Sequence, residues 1–356
     1  MRTAYAAEFG KASGPNIAIL SEYDALPGIG HSCGHNIIAT SGLGAALALS
    51  KLGARLPGRI RYLGTPAEER FGGKEIMARE GAFDGCDAAM MIHPSNLNLV
   101  TMPCIAIAEV EAIYHGKSAH ASAMPYRGVN ALDAVVTAYQ SIAQLRQHIR
   151  NTERIHGIIT EGGLAPNIVP ERASCRFYVR AVDAHELAPL KQRVQACFEA
   201  GALATGCRLE VHWGDTDYLD MKTNWPMAGL YEKNATTLGR EFYPITDLPA
   251  GYAGSTDMGN VSHRVPSIHP MLGVAPAGVI IHNPEFARYA ASDKGDSAVI
   301  DGAKSLAMTA LDLMADPAAM ADAKADFEAT REISEGALAK SREPINHHGH
   351  GGCGCA

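Results

Sequence analysis

The chain predicts an α/β fold, a mostly parallel sheet flanked by helices, with a smaller α+β domain inserted into it. Three observations carry this. Short apolar runs alternate with helical stretches from Asn16 to Pro94, the rhythm changes to βαββαβ from about residue 105, and the first rhythm resumes after Asp215. With 356 residues, 47% hydrophobic and 19% charged, the chain has the size of two domains and the composition of a folded protein.

In the first segment NIAILSE reads as a strand, HNIIATSGLGAALALSKLG as a helix, GRIRYLGTP as a strand, GKEIMAREG as a helix and AAMMIHP as a strand. Parallel sheets of this kind bind ligands beyond the carboxyl ends of their strands, so the residues at the strand exits matter most. They are Glu22 and Asp24, then Glu68 and Glu69, then His93: acids or imidazole at every exit.

In the insert, IAIAEVEAIYH, RIHGIIT, ASCRFYVRAV and CRLEVHW read as strands, and NALDAVVTAYQSIAQLRQHI and HELAPLKQRVQACFEAGAL as helices. Four strands and two helices in the order βαββαβ predict a self-sufficient ferredoxin-like unit over 105–215. Beyond it come a helix at MAGLYEKNATTLG, a Gly/Ser loop at GYAGSTDMGNVS, an apolar run at MLGVAPAGVII and a long helix at SAVIDGAKSLAMTALDLMAD. In that last helix Val299, Ile300, Ala303, Leu306, Ala307, Ala310, Leu311 and Met314 recur at helical spacing and are expected to face the sheet. Segment 317–342 has little apolar stripe and predicts a surface helix. The expected division is 1–104 with 216–342 as one domain, 105–215 as the insert and 343–356 as a flexible tail.

The formal charge is −7, from 31 basic and 38 acidic residues, so no basic surplus exists to neutralise phosphates or anionic lipid. Nucleic acid and membrane are not expected as partners. The N-terminal stretch has no apolar run of the secretory type, and the most apolar stretches, 36–50 and 271–281, fall short of the ~20 residues of a spanning helix. The eight cysteines lack a disulfide-framework spacing, which predicts reduced thiols and a cytoplasmic protein.

The strongest local signal is GHSCGHN, where Cys33 and His35 stand one residue apart at the mouth of a helix. Taken alone, the triplet reads equally well as a structural cysteine beside a helix-capping histidine. Glu69 and His93 leave neighbouring strands at the same end of the sheet, so thiolate, imidazole and carboxylate can meet around one or two divalent cations. In GTPAEER an irregular backbone can aim adjacent carboxylates in different directions, one towards metal and one free to take a proton from water acidified by the cation. By itself that pair reads as a solvated helix start.

EYDALPGIGHSCGHN, GTPAEE, IHP, GKSAHASAMPYRGVNALDA, APNIVPERA, GSTDMGNVS and HNPEF, in that order, resemble the aminoacylase and carboxypeptidase type of dinuclear metallo-amidohydrolases, nearest the branch of aminobenzoyl-glutamate hydrolase, indole-acetyl-amino-acid hydrolases and a β-alanyl-lysine-type dipeptidase. The resemblance implies that Cys33, His35, Glu69, His93 and His282 hold two divalent metal ions, zinc foremost with manganese, cobalt or nickel as alternatives, and that Glu68 is the general base. It implies that His120 and Asn167 contact the substrate or its developing oxyanion, and that the insert forms a homodimer in which the histidine reaches the partner's site. Ser255, Thr256 and Asp257 are expected to border the substrate pocket, Asp257 being one candidate to meet a substrate ammonium. Asp24 is expected to orient a ligand. Glu22 stands where more distant relatives place a metal-binding histidine, and whether it binds metal is open.

Two features depart from that pattern. Relatives carry a helical segment before the first strand, whereas here the strand begins near Asn16, so part of one sheet face is expected to be uncovered. The tail adds His347, His348, His350, Cys353 and Cys355 in a Gly-rich setting, which suits metal capture or no role at all. The leading expectation is a metal-dependent enzyme cleaving the amide of N-acyl or aroyl amino acids, with a β-alanyl-type dipeptidase as the alternative; a metal-binding or storage protein on the same scaffold is the reading from another class. The free carboxylate of Glu68 favours an enzyme, because storage needs ligands and not a base beside them.

Overall fold

A computed structural model describes residues 1–249 and 251–345. The tail histidines and cysteines from His347 to Cys355 lie outside the described residues. The chain divides into two compact units, Met1–Cys104 with Tyr218–Gly336, and Ile105–Asp217 with the described residues from Ala337 onward.

The first unit opens with β1 (Tyr5–Gly10), β2 (Asn16–Ser21), α1 (His35–Ser50), β3 (Arg59–Gly64), α2 (Gly73–Arg79), β4 (Ala88–Met90) and β5 (His93–Ser95). The second unit holds β6 (Ala106–His115), α3 (Ala131–Leu145), β7 (Arg154–Glu161), β8 (Arg172–Ala181), α4 (Ala184–Thr205) and β9 (Arg208–Trp213). The chain then returns to the first unit with α5 (Trp225–Thr237), α6 (Met258–Ser262), β10 (Ser267–Ile268), β11 (Met271–Gly273), α7 (Pro284–Ala290), α8 (Asp293–Ala315) and α9 (Pro317–Glu328). The last helix, α10 (Arg331–Lys340), crosses the division.

The sheet of the first unit has the order β1-β3-β2-β4-β10, parallel except for β1, and β5 pairs in parallel with β11. β2 is buried along its whole length, which is why its run NIAILS is almost continuously apolar. Ile17, Ile19 and Leu20 share one core with Ile37, Ile38 and Leu49 of α1, against which α8 packs, bringing Leu306, Ala310 and Leu313 into the same core. The register sets Ile19 against both Tyr62 and Met90, so the chain leaves β2, β3 and β4 at the same edge and at the same level.

The second unit is a four-stranded antiparallel sheet in the order β7-β8-β6-β9, covered by α3 and α4. Val110, Tyr114, Phe177 and Val179 point into a core with Val135, Ile142, Leu190 and Phe198, and the Tyr114 hydroxyl donates to the Phe198 carbonyl at 2.9 Å. Asn130 and Asp183 cap α3 and α4 by accepting from backbone N–H groups of the first turn. β7 is an edge strand, and its Ile158 and Ile159 are exposed.

Three local expectations are corrected. β1 is an added antiparallel strand; nearly all its residues are exposed, so it carries no apolar alternation to read. In α8 Ile300 is 54% exposed, while Ala298, Gly302 and Leu313 join the buried stripe. At about 100° per residue Ile300 lies off the face defined by Ala303, Leu306 and Ala310. Segment 317–342 forms two helices, not one, and buries Met320, Ala323 and Ala337.

Candidate metal centre

The strand exits converge. Glu22 follows β2 directly, Glu68 and Glu69 lie in the loop after β3, and His93 opens β5 just beyond β4. Cys33 and His35 reach the same place from the start of α1, where Gly34 turns the backbone with φ 83°. A Cβ on Gly34 would meet the Pro94 ring at 2.4 Å, so only glycine lets the helix start this close to β5. His282 comes from the loop before α7, in the left-handed region at φ 63°, and its backbone N–H donates to the Ser32 carbonyl at 2.8 Å. A non-glycine residue held there is strain kept by its surroundings, of a kind that clusters at functional sites.

Two groups of donor atoms, each lying within 4.8 Å of one another, share the Cys33 thiol: Cys33 with His35 and His93, and Cys33 with Glu69 and His282. The thiol is 3.4 Å from His93 Nε2, and Glu69 is 3.5 Å from His282 Nε2. A third group joins Glu22, His35 and Glu68. His35 Nδ1 faces the Asp24 carbonyl at 2.9 Å, which leaves Nε2 to point at the carboxylates: Glu22 at 3.3 Å, Glu68 at 3.7 Å and Glu69 at 3.8 Å. His93 Nδ1 is likewise fixed by the Pro94 carbonyl at 2.7 Å, turning Nε2 towards Cys33. Asp24 accepts from the Glu69 backbone N–H at 2.9 Å and so orients the Glu69 loop.

The residues fit divalent cations. His35 Nε2, Glu22 Oε1 and Glu69 Oε1 converge, buried with no hydrogen-bond partner, a costly state for three polar atoms unless a charge sits between them. Burial pushes the Cys33 thiol up, and a thiolate at this place needs a cation beside it. Sulfur, imidazole and carboxylate together form a donor set suited to zinc and to neighbouring transition metals.

The charges around the centre are strongly perturbed. Burial, reinforced by the Glu22 charge, raises the Glu68 carboxyl well above its ordinary value. Burial works against charge on His35, but Glu22 and Asp24 overcome it and raise the imidazole. Burial lowers His93 to about 4 and His269 to about 3. His269 stacks edge-on against His93 at 5.6 Å between ring centroids, and neither of its nitrogens has a hydrogen-bond partner.

The Asp257 carboxylate is fully buried and receives the Lys74 ammonium at 2.7 Å and the Lys74 backbone N–H at 2.8 Å, so it faces a lysine of its own chain. Thr256 is buried too, its hydroxyl accepting from the Met258 N–H at 3.2 Å, while Ser255 is half-buried. Lys74 also reaches Glu22 at 2.5 Å. Lys74, His269 and Tyr218 were missed from sequence, and a lysine in GKEIMAR, a helix that also carries Glu75 and Arg79, gave no signal of its burial.

On the second unit His120 and Asn167 are brought side by side, because the Ala121 N–H donates to the Asn167 carbonyl at 3.0 Å and His120 bridges to Ile168. His120 Nδ1 accepts from the N–H groups of Ser122 and Ala123 at 3.3 and 3.2 Å. The proton therefore belongs on Nε2, which leaves a donor pointing away from the loop.

Residues 18–311 match the model of peptidase family M20/M25/M40. The chain is 41% identical over 336 residues to an Xaa-Arg dipeptidase of Mus musculus, covering 92% of this chain and 78% of that relative. It is 33% identical over 243 residues to one of the subunits of p-aminobenzoyl-glutamate hydrolase from Escherichia coli K12, covering 62% of this chain and 50% of that relative. Among solved structures, a dinuclear metal-binding peptidase of the M20 family from Bacillus subtilis superposes with TM-score 0.63 at 20% identity, covering 88% of this chain and 86% of that one. An aminobenzoyl-glutamate utilization protein from Klebsiella pneumoniae gives 0.67 at 20% identity, over 86% and 74%.

Proposed function

The chain belongs to peptidase family M20/M25/M40 and is a hydrolase of amide bonds; on that premise we propose that it is a dipeptidase cleaving the amide before a basic C-terminal residue, with two divalent metals, zinc foremost, held by Cys33, His35, Glu69, His93 and His282. The observation that carries the metal assignment is the pair of donor groups sharing Cys33, with the Glu68 carboxylate beside them. The substrate class is supported by the extent of the likeness to the Xaa-Arg dipeptidase. N-acyl or aroyl amino acids are the second reading, supported by the likeness to the aminobenzoyl-glutamate hydrolase.

Cations bound at these residues would polarise the scissile carbonyl and acidify the attacking water. Glu68, held at the site with its affinity for protons raised, accepts the water's proton and returns it to the leaving amine. His120 is proposed to donate a hydrogen bond from Nε2–H to the developing oxyanion and to keep its proton, with Asn167 beside it. Ser255 keeps its proposed place in the substrate pocket, whereas Asp257 and Thr256 act from within the fold. The Lys74 contacts argue against Asp257 as the partner of a substrate ammonium.

The unit Ile105–Asp217 is proposed as a dimerisation domain. Its edge strand β7 exposes Ile158 and Ile159, and Leu164 in the following loop is 94% exposed, a combination that invites pairing with a second copy. No helix among the described residues is long and apolar enough to cross a membrane. A cytoplasmic location is supported by six free cysteines among the described residues.

The test is amine release from a panel of Xaa-Arg and Xaa-Lys dipeptides, β-alanyl dipeptides, aroyl-glutamates and acyl-amino acids with zinc, manganese or cobalt. Turnover of the basic dipeptides that disappears in Glu68→Gln while bound metal is unchanged is the expected result. Turnover confined to aroyl-glutamates would transfer the assignment to the second reading.

A further inference from the structure

The loop between β3 and α2 carries both Glu68 and Glu69, and it is held in an unfavourable shape. Ala67 stands at φ 68° and Phe71 at φ 82°, left-handed positions for residues that bear a Cβ. Gly72 follows at φ 65°, and a Cβ on Gly73 would meet the Pro66 carbonyl at 1.7 Å, so the loop is folded tightly on itself. Asp24 anchors it at the Glu69 N–H. Asp24 also takes the Glu68 backbone N–H. The Glu68 carbonyl is held by one oxygen from a distant part of the chain.

The hydroxyl of Tyr218 donates to the Glu68 backbone carbonyl at 2.6 Å and accepts from the Gly72 backbone N–H at 2.9 Å. One hydroxyl thus spans the segment that contains Phe71 and closes it. Resting on the reading of Glu68 as general base, we propose that Tyr218 is a positioning residue for that base: its hydroxyl clamps the strained loop so that the Glu68 carboxylate stays aimed at the site. Burial and the charges of Asp257 and Glu68 raise the phenol, so the hydroxyl keeps the proton with which it donates. The ring alone cannot do this, because phenylalanine fills the same space and offers neither contact.

The test uses the full chain loaded with zinc and compares wild type, Tyr218→Phe, Tyr218→Phe with Ala67→Gly, and Glu68→Gln. Expected for Tyr218→Phe is a fall in kcat of about 10- to 100-fold, since small misplacements of a catalytic group cost on that order. KM should stay within about twofold and bound metal should equal wild type. Glycine at position 67 adopts a left-handed φ without penalty, so the double variant should recover part of the lost kcat. Hydrogen exchange supplies a readout independent of turnover: the Gly72 amide should be protected in wild type and exchange faster in Tyr218→Phe. A kcat within twofold of wild type, or a loss matched by loss of metal and unrelieved by Ala67→Gly, would overturn the proposal. So would a Gly72 amide exchanging freely in wild type, a result that holds even if the variant does not fold. Failure of the underlying reading looks different: Glu68→Gln would then turn over substrate like wild type.

Discussion

The ammonium of Lys74 lies 2.5 Å from the carboxylate of Glu22, both fully buried, and its other side contacts Asp257 at 2.7 Å. Burial opposes ionisation of Glu22, but the lysine, with His35 and His93, holds its carboxyl down at about 2. Removing one member of such a group leaves an uncompensated charge in the interior. Lys74→Met is therefore expected to destabilise the protein by about 3–5 kcal/mol. Denaturant unfolding of the purified variant measures it, and a loss below about 1 kcal/mol would mean that solvent reaches the group.

Cys33 belongs to both donor groups and His282 to one. Cys33→Ala is expected to weaken both metals together. His282→Ala is expected to retain one metal and lose the other, since His282 is the exposed member, 54% accessible. Titration with zinc followed by elemental content distinguishes the two patterns; equal loss in both variants would contradict the shared thiol.

His269 gives a pH dependence. Its folded value of about 3 lies below the ordinary imidazole value of 6.5, so between those limits the unfolded chain binds a proton that the folded chain refuses. Stability is then full above pH ~6.5 and falls as the pH drops, by up to ~1.4 kcal/mol per unit for one proton. In metal-free protein His269→Gln should flatten the slope between pH 6 and pH 4 by up to one proton, as read from urea midpoints across that range. An unchanged slope would show that His269 is hydrated.

The β7 edge is testable by charge. Wild type should sediment as the proposed dimer, and Ile158→Lys with Leu164→Glu should leave the fold intact and give a monomer. A dimer of unaltered affinity would place the contact elsewhere.

Much of the first unit was legible because buried parallel strands are written as apolar runs and their exits as polar clusters; NIAILS followed by Glu22 and Asp24 is the plainest case. Cys33, His35, Glu69 and His93 could be gathered from that topology alone. His282 could not, since neither periodicity nor spacing marks a histidine held at φ 63° by the Ser32 carbonyl, and only the family resemblance singled it out. The surroundings of Asp257 were hidden for a related reason: a Gly-flanked Ser-Thr-Asp reads as a turn, and its partner Lys74 lies 183 residues away. Tyr218 was invisible because its role rests on one oxygen and two backbone groups, which leave no pattern in side-chain type.

The parallel register of β5 with β11, in which His93 sits opposite Met271, has a consequence for folding fidelity. Side chains alternate faces along a strand, so a slip of one residue would present Ile92 or Pro94 to the proposed metal site in place of an imidazole. Misregistered chains would then bind metal weakly, and an ion that binds only the correctly threaded form adds its binding energy to that form alone. The metal would proofread the sheet that holds it.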